Sequence, residues 1–140
     1  MKESSWKDCI ESNSSISVSK DKAKAKSLID TASGRNQFLS RNKIDENNAN
    51  YIFEGYYSSL VELMHALVLL NGYKVGNHIC LGFYLRDVMN KDSLFRIFDD
   101  CRFKRNSLVY YGRKMDFETA KEAVKRCKEL IKEINKMLEK

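Results

Sequence analysis

The chain has 140 residues, a net charge of +6 at neutral pH, 43% hydrophobic residues and 31% charged residues. These proportions are ordinary for one globular domain, which at this size buries enough apolar surface to fold without a metal or a disulfide. The longest strongly apolar stretch, residues 60–70, contains Glu62 and His65 and is too short to cross a bilayer, which excludes a membrane span.

The N-terminal half is predicted to contain a weakly ordered segment and two long helices. Residues 1–18 are rich in serine and asparagine and are predicted to be flexible, so the folded domain is assigned to residues 19–140. Ser19 is a suitable N-cap for the first helix, along which apolar residues recur at helical spacing as far as Leu39. A second helix from about Glu46 to Asn71 is apolar on more than one side and is therefore predicted to be central and buried.

Three further helices are predicted in the C-terminal half. A short helix covers about Asn77 to Met89, and a long one starts at Asp92 or Ser93 and continues to about Tyr111. Asp116 is predicted to cap the last helix, in which apolar residues alternate spacings of three and four without a break, as in helical bundles. No strand pattern competes, and proline, which helix interiors exclude, is absent. The predicted fold class is all-α, a four-helix up-and-down bundle with one additional short helix.

The four cysteines, Cys9, Cys80, Cys101 and Cys127, show no pairing pattern such as CxxC. Three of them fall on apolar faces of predicted helices, where a free thiol packs as a small hydrophobic side chain. The first residues are polar, and no apolar signal region follows them. Together these features predict free thiols in a reducing cytoplasm.

The excess of basic residues lies near the C-terminus, where residues 101–140 carry twelve basic and six acidic side chains. Within this region, residues 101–114 contain five basic residues and no acidic one: Arg102, Lys104, Arg105, Arg113 and Lys114. Such an excess attracts polyanions such as nucleic acids. Many solvated helix faces are equally basic, so charge alone gives only modest support for a nucleic-acid partner.

Arg105 is the unusual member of this segment. Its spacing from Cys101 and Leu108 places it on or beside the apolar stripe of the fourth predicted helix rather than opposite it. A guanidinium in that position needs a partner, which is a carboxylate, a helix-end carbonyl, a second subunit or a phosphate, unless it extends to solvent. The sequence leaves these alternatives open.

The segment resembles the signature of the HEPN superfamily, in which an arginine followed by a polar residue precedes a histidine by a few positions. Arg105-Asn106 matches the start of that motif, and a tyrosine-rich helix, Tyr51 to Tyr57, lies upstream of it. The resemblance covers roughly residues 20–138. It implies the helical fold predicted above, a homodimer whose two arginine motifs line one cleft, and metal-independent endoribonuclease activity. Some relatives are toxins beside a nucleotidyltransferase antitoxin that modifies a tyrosine near the motif, so the resemblance also implies this partner.

The chain departs from the motif at Tyr110, which stands where the family has its histidine. A phenol is protonated at neutral pH, so it can donate a hydrogen bond to phosphate or stack on a base, but it is a poor general base. The resemblance therefore assigns Arg105, Asn106 and Tyr110 to a candidate catalytic site. It assigns a nucleic-acid-binding rim to Arg102, Lys104, Tyr111, Arg113 and Lys114.

The functional hypothesis is that the protein binds RNA or a nucleotide at the dimer cleft, with weak or conditional endoribonuclease activity as part of a toxin–antitoxin pair. The alternative is a catalytically inactive helical module that binds a nucleotidyltransferase or another protein. Neither hypothesis needs a metal or a cofactor, because the sequence contains no cluster at ligand spacing and no glycine-rich phosphate loop. His65 is interpreted as a hydrogen-bonded core or interface residue, and His78 as a residue that caps or packs near the third helix.

Overall fold

The computed structural model describes residues 2–139, and this part of the chain is mostly helical, as predicted. Four long helices account for most of it, and the short elements lie before and between them. In chain order the elements are α1 (Trp6–Glu11), β1 (Ser15–Ser17), α2 (Lys22–Ser40), α3 (Ala49–Leu70), β2 (Tyr73–Val75), α4 (His78–Phe83), a π-helical turn (Tyr84–Val88), α5 (Asp92–Tyr111) and α6 (Phe117–Leu138).

α3 is the central helix, as its apolar pattern predicts. It packs against α2 and against α6, and fifteen of its 22 residues are buried. Its sequence is apolar around most of the helix, so it can fill the core on more than one side. Gly55 lets α2 approach closely, because a Cβ atom at this position would lie 2.8 Å from a methyl group of Leu39.

α6 and α5 differ in how much they contribute to the core. α6 buries an uninterrupted stripe that includes Val124, Cys127 and Ile131, whereas α5 buries only Phe98 and Cys101. The two helices meet where the sulfurs of Cys101 and Cys127 lie 3.7 Å apart. Much of the surface of α5 therefore remains available for contacts outside the described chain.

The helix ends follow local capping chemistry. Asp116 caps α6 as predicted, with its carboxylate accepting a hydrogen bond from the Thr119 N–H at 2.8 Å. α5 ends at Gly112, which adopts a left-handed conformation with φ +64°. The N-cap of α2 is Asp21 instead of the predicted Ser19, because the Asp21 carboxylate accepts from the Lys24 N–H.

Residues 2–18, where the sequence predicts weak order, contain a helix and a strand. β1 pairs with β2 in an antiparallel two-stranded sheet, with Ile16 opposite Lys74. Trp6 packs edge-on against Tyr73 and Tyr84, with ring centroids 5.3 and 5.0 Å away. The expectation that no strand competes with the helices is wrong on this point, because three-residue strands are too short to show the alternation that identifies a strand in sequence.

A disulfide joins Cys9 of α1 to Cys80 of α4, which corrects the prediction of four free thiols. The two residues are 71 positions apart, and their Cα atoms lie 6.0 Å apart. Such a pairing depends on tertiary contacts, so sequence spacing could not show it. Cys101 and Cys127 are free and buried, as predicted.

Within residues 2–139, the structure contains no helix that is both long enough and apolar enough to cross a membrane.

Candidate anion-binding site around Arg105

The C-terminal half of α5 holds Arg105 against aromatic rings. Its guanidinium carbon lies 5.7 Å from the ring centre of Tyr57 on α3 and 5.4 Å from that of Tyr110. Nη1 donates hydrogen bonds to Asn106 Oδ1 and to the Tyr110 hydroxyl oxygen, each at 3.3 Å. The half-buried position beside the apolar stripe is therefore the one that the spacing predicts.

All of these partners of Arg105 are electrically neutral. None of the ion pairs formed by residues 2–139 includes Arg105. Cation–π contacts and long hydrogen bonds orient the guanidinium, but they do not neutralise its charge. The arrangement leaves a positioned positive charge that can bind an anion.

Two other cations of the predicted rim are already paired with carboxylates on α5. Arg102 Nη2 lies 2.9 Å from Asp99, one helical turn earlier, and Lys104 Nζ lies 2.5 Å from Asp100. Side chains separated by three or four residues are neighbours on a helix surface, so the sequence contained this signal. These pairs reduce what Arg102 and Lys104 can contribute to binding an external anion.

The remaining predicted residues form an exposed aromatic and basic surface at the C-terminal end of α5 and directly after it. Tyr110 and Tyr111 are 66% and 71% exposed. The Arg113 guanidinium lies 5.7 Å from the ring centre of Tyr111, and Lys114 Nζ lies 5.5 Å from that of Tyr51 on α3. Exposed rings with adjacent cations suit a single-stranded nucleic acid, because its bases can stack on the rings and its charged phosphates can contact the cations.

His78 is the neighbour of this site that sequence reasoning missed. It is the first residue of α4, positioned by Asn77, whose side chain caps the helix by accepting from the Cys80 N–H. Its Nδ1 lies 3.0 Å from the hydroxyl oxygen of Tyr57, the same ring that faces Arg105. Because α3, α4 and α5 meet here only in the folded chain, residue spacing gives no sign of this contact.

The electrostatics of the cluster keep both partners of this contact uncharged at neutral pH. Burial, and then the nearby charge of Arg105, lower the pKa of His78 from 6.5 to about 4. Burial raises the pKa of Tyr57 well above its usual value, although Arg105 opposes that shift. Arg105 is therefore the charged member of the group that it forms with Tyr57 and His78.

His65 lies elsewhere on α3 and is half-buried. Its pKa is lowered by burial and by the nearby charge of Lys24, while Glu62 opposes the shift. No group of three metal-binding side chains occurs within residues 2–139.

Comparisons of the chain with models of protein families, with the sequences of curated proteins and with solved structures found no match in any of the three.

Proposed function

We propose that the protein binds single-stranded RNA through a surface centred on Arg105. The observation that carries this proposal is that Arg105 is held by neutral groups only, within residues 2–139, and keeps its charge for an external partner. A guanidinium offers paired N–H donors that match two oxygens of a phosphate. The exposed rings around it favour a single strand, because unpaired bases can stack on them.

In this proposal each part of the surface has a defined task. Arg105 binds one backbone phosphate, and Tyr110 donates its hydroxyl hydrogen to a phosphate oxygen at the edge of the site. Tyr111 and Tyr51 offer faces to bases, while Arg113 and Lys114 move from the rings to neighbouring phosphates. Asn106 keeps Arg105 in place through its side-chain oxygen.

The site is better suited to binding RNA than to cleaving it. A metal-independent endoribonuclease needs a base that removes the proton from a ribose 2′-hydroxyl, and a protonated phenol is unsuited to that task. Tyr110, which replaces the motif histidine, is placed to bind rather than to abstract. Any endoribonuclease activity of the native protein is therefore expected to be weak.

The proposal includes the arrangement of the long helices and the pairing of two copies of the protein. α2, α3, α5 and α6 would form an up-and-down four-helix bundle of the HEPN kind, and two copies would pair so that their Arg105 side chains share one cleft. The solvent-exposed rings on α5 support such pairing, since Phe103 is 69% exposed. In a reducing cytoplasm, the proposed location, Cys9 and Cys80 would be adjacent thiols, and their disulfide is the observation against that location.

The test is binding of a fluorescent single-stranded RNA, measured by anisotropy at fixed salt. Arg105→Ala is expected to weaken binding by about 10- to 100-fold, the usual effect of losing charge-assisted hydrogen bonds. Arg96→Ala is the matched control, because it removes an equal charge from an exposed residue of α5 that pairs with Asp92. Equal affinities of the two variants would show that Arg105 is not the binding site.

A second candidate function is a catalytically inactive module that binds a nucleotidyltransferase or another protein. The exposed apolar side chains of α5, Phe103 and Val109, favour it, because protein interfaces are enriched in such groups.

Tyr110→His separates an enzyme scaffold from this binding module. If the RNA-binding proposal holds, the variant is expected to cleave labelled single-stranded RNA faster than the native protein does, because a histidine titrates near neutral pH. The readout is product formation on a denaturing gel, and Arg105→Ala in the Tyr110→His background should abolish the gain. Absence of both cleavage and RNA binding in Tyr110→His would favour the protein-binding function.

A further inference from the structure

His78, Tyr57 and Arg105 reach one place from three different helices. His78 begins α4, Tyr57 lies in the middle of α3, and Arg105 lies in the second half of α5. The imidazole and the phenol rings have centres 5.7 Å apart, and the guanidinium faces the same phenol ring at 5.7 Å. Phe98 stacks nearly parallel to that ring at 6.0 Å and fixes it from within the core.

Hydrogen-bond requirements determine which nitrogen of His78 carries the proton. The Tyr57 side chain is 1% exposed, so its O–H needs a protein acceptor. Within residues 2–139 its hydroxyl has one hydrogen-bond partner, His78 Nδ1 at 3.0 Å. The O–H therefore donates to Nδ1, which leaves the hydrogen of the neutral imidazole on Nε2.

The Nε2–H group is open to an external acceptor. No hydrogen bond among residues 2–139 uses this nitrogen, and it is not one of the buried polar atoms that lack a partner there, so it reaches solvent. The imidazole and the guanidinium each lie 5.7 Å from the centre of the same Tyr57 ring, so both reach this place. Arg102, the other arginine that acts on the ring, is occupied by Asp99. The local electrostatic potential is positive, and N–H groups of both His78 and Arg105 remain free to donate to an anion.

We propose that His78 and Arg105 together form a subsite for one phosphodiester group, in which Arg105 supplies the charge and His78 Nε2–H donates a second hydrogen bond. This inference rests on the proposed RNA-binding function and names the chemistry of its central contact. Tyr57 is a positioning residue, since it holds His78 in the donor tautomer and touches no ligand. Because Nδ1 is occupied and Nε2 is protonated, His78 binds the anion and does not serve as a base.

The subsite is tested with oligouridylate, whose bases and phosphodiesters do not titrate between pH 5.5 and 8. At pH 7.5, His78→Ala is expected to weaken binding about 3- to 10-fold, as for loss of one neutral hydrogen bond. His78→Gln, whose amide N–H₂ can replace the Nε2–H donor, should recover most of that loss. Tyr57→Phe keeps the ring beside Arg105 but frees Nδ1, so it should weaken binding by a smaller factor.

Two further measurements distinguish this role from a structural one. Long-range ¹H–¹⁵N NMR spectra of the free native protein should show the Nε2–H tautomer of His78, and an Nδ1–H tautomer would overturn the inference. A bound phosphodiester also favours the protonated ring, in which Nδ1 donates to the Tyr57 hydroxyl oxygen in place of accepting from it, so binding should tighten as the pH falls from 8 towards 5.5. His78→Gln should lose this response, whereas His65→Gln, which removes the other histidine whose charge acts on His78, should keep it.

The outcomes distinguish failure of the His78 contact from failure of RNA binding at Arg105. If Arg105→Ala weakens binding and His78→Ala does not, the His78 contact is wrong and RNA binding at Arg105 stands. If neither substitution matters, both are wrong. If His78→Ala weakens binding and His78→Gln does not restore it although both variants keep the native circular dichroism, His78 acts through packing and the donor role is overturned.

Discussion

The basic side chains of α5 differ in whether they already form an ion pair with a carboxylate. Arg102 and Lys104 each pair with an aspartate one turn earlier, whereas Arg105 has only neutral partners within residues 2–139. Spacing from Cys101 and Leu108 was enough to single out Arg105, because it depends only on helical periodicity. The role of His78 could not be predicted in the same way, since its contact with Tyr57 joins residues 21 positions apart on two different helices, and helical periodicity does not relate them.

The ion pair between Arg102 and Asp99 reduces the positive potential near Arg105, so removing the charge of Asp99 should strengthen RNA binding. Asp99→Asn is expected to tighten binding of single-stranded RNA about 2- to 5-fold at low salt, because it releases Arg102 beside the site. The measurement is RNA affinity as a function of salt concentration. Asp30→Asn is the control, because it removes an equal charge from an exposed ion pair on α2. Equal tightening in both variants would mean that only the net charge of the protein matters.

At the scale of secondary-structure elements, the N-terminal segment supports the helix that carries His78. β1 pairs with β2, Trp6 packs on Tyr73 and Tyr84, and the disulfide joins α1 to Cys80, two residues after His78. The long helices were predictable because each has a continuous apolar stripe that is a property of local sequence. The short elements were not, because they are stabilised by contacts with residues far away along the chain.

The cysteine pairing gives a direct test of this part of the structure. Protein purified and denatured without reductant should show two reactive thiols, from Cys101 and Cys127, and four after reduction. Replacing Cys9 and Cys80 by serine should lower the free energy of unfolding by about 2–4 kcal/mol, because the disulfide restricts a long loop in the unfolded chain. Urea denaturation measures this loss, and Cys101→Ser is unsuitable as a control because Cys101 is buried in the core. Four reactive thiols before reduction would contradict the pairing.

For the whole molecule, the central position of α3 explains why fold and site are coupled. The helix that fills the core with Phe53, Leu60 and Leu63 also contributes Tyr57 to the cluster with His78 and Arg105. Its apolar pattern predicted burial on several sides, but a pattern cannot tell which of its aromatic residues will carry a polar contact. Because burial and the charge of Arg105 disfavour the protonated form of His78, protonating it has a free-energy cost that should be visible in the stability of the whole protein.

That cost takes the form of a pH dependence. The pKa of His78 is about 4 in the folded protein against 6.5 for an ordinary histidine, so between these values the unfolded chain binds more protons. The contribution of His78 to stability is therefore complete above about pH 6.5 and is lost as the pH falls toward 4. The ring is only half-buried, so after allowance for solvent screening the loss is about 1 kcal/mol.

The measurement is urea unfolding at pH 7.5 and pH 5. The free energy of unfolding should fall less between these two values for His78→Gln than for the native protein, since the variant has no proton to take up at this position. His65, whose pKa is also lowered by burial, contributes in the same direction, so the double variant with His65→Gln should be nearly flat in this range. An undiminished fall in His78→Gln would show that the ring is not held neutral by burial and by Arg105.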